Sequence, residues 1–249
     1  MLAAEQVGKG PPVVLVHGFT QTGHAWRPVT DLLAGLHTFT LVDAPGHGRS
    51  SPIRAGLWEA AGLLGATGGR AAYVGYSMGG RLCLHLALAQ PGLVERLVLI
   101  SASPGIEDPG QRAERRAADE VLAQRVEADG VACFVDWWLA QPLFATLPVD
   151  VADRAGRLEN TAAGLASSLR VAGTGSQEPL WHRLTELTMP TLVVAGDLDT
   201  AYTDIGRRMA ATIGDNAELV LIPSAGHACH LERVEPFCLV LADFLEGGH

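Results

Sequence analysis

The chain has 249 residues, of which 48% are apolar, and its formal net charge is −9. That length fits one α/β domain, and the apolar residues form no run long enough to cross a membrane. The negative charge argues against binding to nucleic acids or anionic membranes, which need a basic face, but a local arginine cluster could still bind a small anionic molecule.

The amino terminus indicates where the protein is located, and the cysteines indicate how its thiols are used. The first 19 residues contain no basic stretch ahead of an apolar core and no small-residue cleavage site, so we expect a cytoplasmic protein. The four cysteines form no C-x-x-C pair, which favours buried thiols over a disulfide framework or a metal site. We expect a monomer or a small homo-oligomer.

Six short apolar runs, each ending near Gly, Pro, Ser or Asp, predict strands that are buried on both faces. Helical patterns separate several of them, which indicates a mostly parallel sheet with helices on both faces. In such sheets the site lies at the carboxyl ends of the strands. The predicted strands lie within residues 12–19, 39–48, 71–77, 96–102, 191–197 and 218–227.

Two helices and one insertion complete the predicted architecture. Residues 79–90 have the wide apolar coverage of a buried helix, and residues 236–247 form a closing helix followed by glycine. Between about Pro104 and Leu187 there is no strand-like run, so this region is predicted to be a helical lid between two core strands. We therefore divide the chain into a core (1–103 and 188–249) and a lid (104–187).

The segment "GYSMG" places Ser77 between glycines, directly after a predicted strand and before a predicted helix. This is the context in which G-x-S-x-G forms a sharp, strained turn that exposes a reactive serine. The alternative is a glycine-rich turn in which the serine only caps the helix. Ser77 is thus the candidate catalytic residue.

A serine becomes reactive when a histidine accepts its proton and a carboxylate fixes the tautomer of that histidine. The chain order in this type of fold is serine, acid, histidine. Asp199 follows the fifth predicted strand and His227 follows the sixth, so these are the preferred partners. Asp197 and His230 are the competing acid and base.

Two backbone N–H groups are needed where negative charge develops during such chemistry. Met78 opens the helix that follows the serine and would supply one of them. Phe19, directly after "HG", is placed to supply the other.

The motifs "VLVHGF", "DAPGHGRS", "GYSMGGR", "GDLD" and "AGH" together resemble the α/β-hydrolase superfamily across nearly the whole chain. The resemblance implies an α/β-hydrolase fold, a mostly parallel sheet with a helical lid between core strands. A serine rather than an aspartate at the turn is unlike the haloalkane dehalogenase and epoxide hydrolase branches. The first strand begins close to the amino terminus, so we expect the leading hairpin of that fold to be shortened, as is the segment between Ser51 and Tyr73.

The lid segments "PGIEDPGQRAERRAAD", "DWWLAQPLFATL" and "GLASSLRVAGTGSQEPLW" resemble the MenH family of menaquinone biosynthesis, the 2-succinyl-6-hydroxy-2,4-cyclohexadiene-1-carboxylate synthases. That resemblance implies an elimination: a proton is removed beside the succinyl ketone of a polycarboxylate substrate, and pyruvate leaves from the ring. Ser77 would act as the base. No metal or other cofactor is implied.

Arginines have a physical role in such a site, because guanidinium groups bind carboxylates through paired, charge-assisted hydrogen bonds. Arg81 lies four residues after Ser77, hence on the same helix face. By similarity to the family, Arg112 or Arg115, Arg157 and Trp137 would join it, and Tyr76 would contact the substrate or pack beneath the turn. Alternatively, Arg112, Arg115 and Arg116 form a solvated helix face, and Trp137 and Trp138 pack inside the lid, where at most one of them touches substrate.

Two other functions are compatible with these residues. The same triad could hydrolyse an ester, thioester or carbon–carbon bond of an anionic substrate, although a neutral ester would give the arginines no role. A noncatalytic binding protein is the second alternative, but binding alone does not require Ser77, Asp199 and His227 together.

Overall fold

A computed structural model describes residues 1–247, and within them seven strands form one sheet in the order β1-β3-β2-β4-β5-β6-β7. β1 is antiparallel to β3, and all the other neighbouring pairs are parallel. The strands are β1 (Ala4–Gly8), β2 (Pro12–Val16), β3 (Thr38–Val42), β4 (Ala71–Tyr76), β5 (Val94–Ile100), β6 (Thr191–Gly196) and β7 (Ala217–Ile222).

The continuous apolar runs in the strands are explained by burial on both faces of the sheet. Val14 and Val16 of β2 belong to one core cluster, whereas Val13 and Leu15 belong to the cluster on the opposite face. Successive side chains of a strand point to opposite faces, so each strand between two helical layers needs apolar residues at every position.

Helices cover both faces of the sheet and also form the region between β5 and β6. α4 is interrupted at Gly130, where φ is +76° and ψ is 166°. The helices are α1 (Arg27–Leu33), α2 (Leu57–Gly68), α3 (Met78–Ala89), α4 (Pro109–Leu139), α5 (Arg154–Arg157), α6 (Ala162–Ala172), α7 (Thr200–Ile213), α8 (Cys229–Glu232) and α9 (Val234–Glu246).

The structure confirms the predicted α/β architecture and adds one strand. All six predicted strands are present, and α3 and α9 begin and end within two residues of the predicted helices. β1 was not predicted because its sequence is short and mixes polar and apolar residues. Its residues are half-buried or exposed. It pairs with β3 along its whole length and covers that edge, so the amino terminus supplies one leading strand.

The region between β5 and β6 contains helices and turns but no strand among the described residues. α4 and α6 pack on each other around Phe134, Leu165 and Leu169, which gives this region a small apolar core of its own. We keep the division into core (1–103 and 188–249) and lid (104–187) as a proposal. No helix within residues 1–247 has the length and apolar character needed to span a bilayer.

Candidate active site

Ser77 lies in a strained turn between β4 and α3, with φ +50° and ψ −107°. Its backbone N–H donates to the carbonyl of Ile100 at 2.8 Å, which holds the turn against the neighbouring strand. A Cβ at Gly75 would lie 2.4 Å from the carbonyl oxygen of Gly79, and a Cβ at Gly79 would lie 2.1 Å from that of Val16. Only glycine fits at these two positions, so the motif is a steric requirement of the turn.

The loops after β6 and β7 bring the predicted acid and base to Ser77. His227 Nε2 lies 3.2 Å from Ser77 Oγ, and His227 Nδ1 lies 2.8 Å from Asp199 Oδ2. The other carboxylate oxygen of Asp199 accepts the N–H of Tyr202 at 3.3 Å, so the acid also caps α7. The three side chains have the connectivity in which a histidine removes the serine proton and a carboxylate orients the histidine.

The two competing residues lie elsewhere. Asp197 is exposed, two residues before the acid. His230 is 1% exposed, and its ring packs on Trp26 and Tyr76 with centroids 4.7 and 4.3 Å apart. Burial lowers the pKa of His230 to about 3, so this imidazole stays neutral beneath the site.

The loop that follows β2 fixes the peptide that contains the Phe19 amide. The carbonyl of Gly18 accepts from the Gln21 N–H at 3.2 Å and contacts His17 Nδ1 at 2.8 Å. His17 Nε2 accepts the N–H of Ala44 at 3.0 Å, which leaves the ring proton on Nδ1 for Gly18. Because the peptide is planar and trans, fixing the Gly18 carbonyl also fixes the direction of the Phe19 N–H.

The His17 imidazole is suited to this task because it is always neutral near pH 7. It is fully buried, and burial lowers its pKa to about 4. A protonated ring could not accept the Ala44 N–H. Phe19 and Met78, the two residues predicted to stabilise negative charge, both line the cavity at Ser77. The role of their amides stays a prediction.

A cavity of about 250 Å³ opens beside the triad between the sheet and the lid. Ser77 and His227 lie on its core wall, and Trp138 and Leu169 belong to its lid wall. Of the predicted arginines, Arg81 and Arg115 line this cavity, and Arg157 lines a smaller recess that also includes Ser77.

Arg81 is buried without a carboxylate partner among residues 1–247. It is 8% exposed, and its Nη1 donates to the carbonyl of Ala172 at 2.8 Å. Burial lowers the pKa of its guanidinium to about 10, which still leaves it charged at neutral pH. Because unpaired buried charges are costly, a buried cation held by one neutral carbonyl favours an anion beside it.

Arg157 is held in the same way at the end of α5. It is 1% exposed, its Nε donates to the carbonyl of Ala152 at 2.8 Å, and its Nη1 donates to the Thr20 hydroxyl. Burial lowers its pKa to about 10. In the described part of the chain no carboxylate forms an ion pair with it, and Tyr76 lines the same recess.

The other two predicted arginines differ from each other. Arg115 lines the cavity, but its Nε is already paired with buried Asp119 at 2.8 Å. Arg112 is not among the cavity-lining residues, because its Nη1 donates back to the carbonyls of Ile106 and Glu107 at 2.9 and 3.3 Å. The structure therefore brings Arg115 to the site and leaves Arg112 at the start of α4.

The tryptophan pair divides as well. Trp138 lines the cavity, whereas Trp137 turns away and stacks under the guanidinium of Arg125 at 4.0 Å. The prediction that at most one of them faces the substrate fits this geometry, but the residue named was the wrong neighbour. Helical phase alone does not decide between adjacent positions when the helix is interrupted, and α4 is interrupted at Gly130.

Several further polar residues line the cavity that the sequence did not point to, and Ser101 and Tyr202 are two of them. Ser101 is 2% exposed with φ +45°, and its hydroxyl has no partner among the described residues. Tyr202 packs its ring against His227, with centroids 4.6 Å apart. Their positions just after β5 and just after the acid are the only sequence signals that could have found them. No group of three or more His, Cys, Asp or Glu side chains that could hold a metal occurs within residues 1–247.

Comparison with known proteins gives results that agree with this geometry. Residues 13–238 match the Alpha/beta hydrolase family. The chain is 32% identical to the 2-succinyl-6-hydroxy-2,4-cyclohexadiene-1-carboxylate synthase of Escherichia coli O1:K1 / APEC over 246 residues, which cover 94% of each protein.

Solved structures show the same similarity. MenH from S. aureus superposes with a TM-score of 0.90 at 29% identity, covering 99% of this chain and 98% of that one. A thermophilic esterase from Thermogutta terrifontis, solved with malate bound, superposes with a TM-score of 0.83 at 26% identity, covering 98% and 93%.

Proposed function

The chain belongs to the Alpha/beta hydrolase family, and we propose that it is an enzyme of menaquinone biosynthesis, a 2-succinyl-6-hydroxy-2,4-cyclohexadiene-1-carboxylate synthase. It eliminates pyruvate from 2-succinyl-5-enolpyruvyl-6-hydroxy-3-cyclohexene-1-carboxylate. This makes it a carbon–oxygen lyase built on a hydrolase fold.

One observation supports this function above all: two buried arginines that have no carboxylate partner within residues 1–247 line the pockets at the triad serine. Arg81 from α3 lines the cavity at Ser77, and Arg157 from the lid lines the smaller recess that also includes Ser77. A neutral ester would leave both guanidinium groups buried and uncompensated, whereas a substrate with several carboxylates neutralises them. Charge-assisted, bidentate contacts to carboxylates are the interactions that arginine makes best.

The triad supplies the base. His227, oriented by Asp199, accepts the proton of the Ser77 hydroxyl as Oγ removes the proton beside the succinyl ketone of the substrate. Electrons of the broken C–H bond move toward the ketone oxygen. They then move through the ring and break the bond to the enolpyruvyl oxygen, and pyruvate leaves after its enolate takes up a proton.

The developing negative charge on the ketone oxygen needs donors in fixed positions. We assign this role to the N–H groups of Phe19 and Met78. Arg81 and Arg157 bind carboxylates of the substrate. Arg115 adds positive charge to the cavity, reduced by its ion pair with Asp119. Trp138 lines the cavity and Tyr76 lines the recess. The proposed reaction uses no metal or nucleotide. We also propose a cytoplasmic location.

The proposal is tested by supplying the enzymatically prepared enolpyruvyl substrate to the purified protein and measuring pyruvate release and ring-product absorbance together. We expect equimolar formation of both, with kcat/KM far above that for p-nitrophenyl esters. No release of pyruvate alongside fast ester hydrolysis would instead make the protein a hydrolase that uses the same triad.

A further inference from the structure

Thr20, the residue after Phe19, adopts a conformation that threonine rarely takes. Its φ is +70°, and it is fully buried. A β-branched residue in this region is strained by about 1–3 kcal/mol and persists only when its surroundings hold it there. The contacts that hold Thr20 are therefore contacts that shape the loop containing the Phe19 amide.

Every polar group of Thr20 is used. Its N–H lies 3.3 Å from His47 Nε2, its hydroxyl accepts from Arg157 Nη1, and its carbonyl accepts from Asn160 Nδ2 at 2.6 Å. The partner of the N–H belongs to the core, but the other two belong to the lid, close to the end of α5. The lid thus holds two of the three groups that stabilise the strained turn.

Asn160 is the link between the separate parts of this network. Its Nδ2 donates both to the Thr20 carbonyl and to the Arg157 carbonyl, the latter at 2.9 Å, and its Oδ1 accepts the N–H of Gly48 at 2.8 Å. The side chain is 6% exposed. Two carbonyls on one side and one N–H on the other leave a single orientation for the amide, since a flipped amide would lose all three bonds.

We propose that Asn160 is a positioning residue that holds the strained Thr20 turn, and through it the Phe19 amide, in register with the substrate-binding Arg157. The inference rests on the proposed function for the roles of Phe19 and Arg157. Asn160 itself does not line the cavity at Ser77, so its effect on the reaction acts through its neighbours.

The arrangement has a chemical consequence. Arg157 Nη1 also reaches the Phe19 carbonyl at 3.4 Å, so one guanidinium contacts both residues of the turn. A carboxylate bound to Arg157 and an oxyanion bound to the Phe19 N–H are then held at a fixed spacing. A shift of about 1 Å in such spacing can reduce a rate about 100-fold, which makes the anchor of the turn important for the chemical step.

The test compares Asn160→Ala with Asn216→Ala. Asn216 is a matched control, because its Nδ2 also donates to two carbonyls, those of Leu187 and Met189, at the opposite end of the sheet from the cavity. For Asn160→Ala we expect kcat for pyruvate release to fall about 10- to 100-fold while KM changes less than about threefold. Asn216→Ala should lower the melting temperature and leave kcat unchanged.

A second readout does not depend on the physiological substrate. Phenylboronic acid forms a bond from boron to Ser77 Oγ while the serine proton passes to His227, and the resulting tetrahedral boronate places an oxygen at the Phe19 and Met78 amides. We expect its Kd to rise about tenfold or more in Asn160→Ala and to stay unchanged in Asn216→Ala.

The outcomes separate the two proposals. If the wild-type protein binds the boronate but releases no pyruvate, the proposed function fails and the boronate Kd still decides the role of Asn160. Equal boronate affinity in Asn160→Ala and the wild type overturns that role. If Asn160→Ala does not fold, Asn160→Asp, which keeps the acceptor for the Gly48 N–H but loses the donor to the Thr20 and Arg157 carbonyls, should weaken the boronate, and unchanged affinity would overturn the proposal.

Discussion

The core wall and the lid wall of the cavity hold their polar groups in different ways. On the core wall, steric constraints fix Ser77, and a carboxylate fixes His227. On the lid side, Arg157 lines the smaller recess beside Ser77, where it is held by neutral oxygens and has no carboxylate partner in the described chain. The carboxylate and the imidazole of the triad are therefore already paired with each other, whereas Arg81 from α3 and Arg157 from the lid each place a positive charge at the site with no carboxylate partner within residues 1–247.

The lid surface shows that this difference is not general to its arginines. Arg170 makes bidentate contacts with both Glu120 and Glu127 at 2.6 to 3.0 Å, on the solvent side. Arg170 is thus paired on the solvent side and Arg115 is paired with Asp119 at the cavity, whereas Arg81 and Arg157 have no carboxylate partner within residues 1–247. Among these arginines, the lack of a carboxylate partner within residues 1–247 is therefore specific to Arg81 and Arg157.

Asp199→Asn tests the core wall and should reduce activity more than the other variants below. The amide can still cap α7 through its oxygen but no longer orients His227 in the required tautomer. We expect kcat to fall about 10³- to 10⁴-fold with little change in KM or melting temperature. A fall below tenfold in the pyruvate assay would mean that the core wall is not the source of the base.

Arg81→Ala tests the contrast between unpaired and paired arginines and should have the second-greatest effect. Removal of a buried cation that pairs with a substrate carboxylate should lower kcat/KM by the equivalent of about 2–5 kcal/mol. Arg170→Ala is the control, because it also removes one guanidinium, but from an exposed cluster in which that group is paired with carboxylates. Equal loss in the two variants would remove the distinction between unpaired and paired arginines.

His230→Phe tests how the stability of the protein depends on pH through the neutral imidazole buried beneath the triad. Burial lowers the pKa of His230 to about 3, so between pH 6.5 and 3 the unfolded chain binds a proton that the folded chain does not. Stability therefore falls as the pH falls through this window.

Phenylalanine keeps a ring against Trp26 and Tyr76 but does not titrate. The loss of unfolding free energy between pH 7 and pH 5 should shrink by about 2 kcal/mol relative to the wild type. Urea unfolding at the two pH values measures it, and an identical loss in both proteins would show that His230 is charged or hydrated in the folded state.

The smallest effects sharpen the lid wall residue by residue. Trp138→Phe should raise KM severalfold because the ring lines the cavity, whereas Trp137→Phe should leave KM unchanged because that ring packs under Arg125. Arg112→Ala should likewise leave kcat/KM unchanged. An increase of KM in Trp137→Phe, but not in Trp138→Phe, would reverse the assignment.

Much of the core could be predicted from sequence because its constraints are local. Apolar runs mark strands that are buried on both faces, and the glycines around Ser77 mark a turn in which no Cβ fits. β1 escaped because an edge strand with one solvated face needs no continuous apolar run. The choice of Asp199 over Asp197 followed from its position further along the loop, and the geometry agrees.

The lid resisted prediction because its side chains are placed by contacts between distant segments. Arg112 and Arg115 are three residues apart on one helix, yet one folds back on the main chain and the other reaches the cavity. Because α4 is interrupted at Gly130, the helical phase counted from its start does not carry through to Trp137 and Trp138. Asn160 is 140 residues from its partner Thr20, a separation for which a single sequence holds no signal.

The most direct test of the central claim, that Ser77 is a base in an arginine-lined site, is pyruvate release by the wild type and by Ser77→Ala from the same substrate preparation. Alanine removes only the hydroxyl, so the fold should persist and circular dichroism should be unchanged. We expect rapid release by the wild type and a loss of at least about 10³-fold in the variant. Release at comparable rates by both proteins would contradict it.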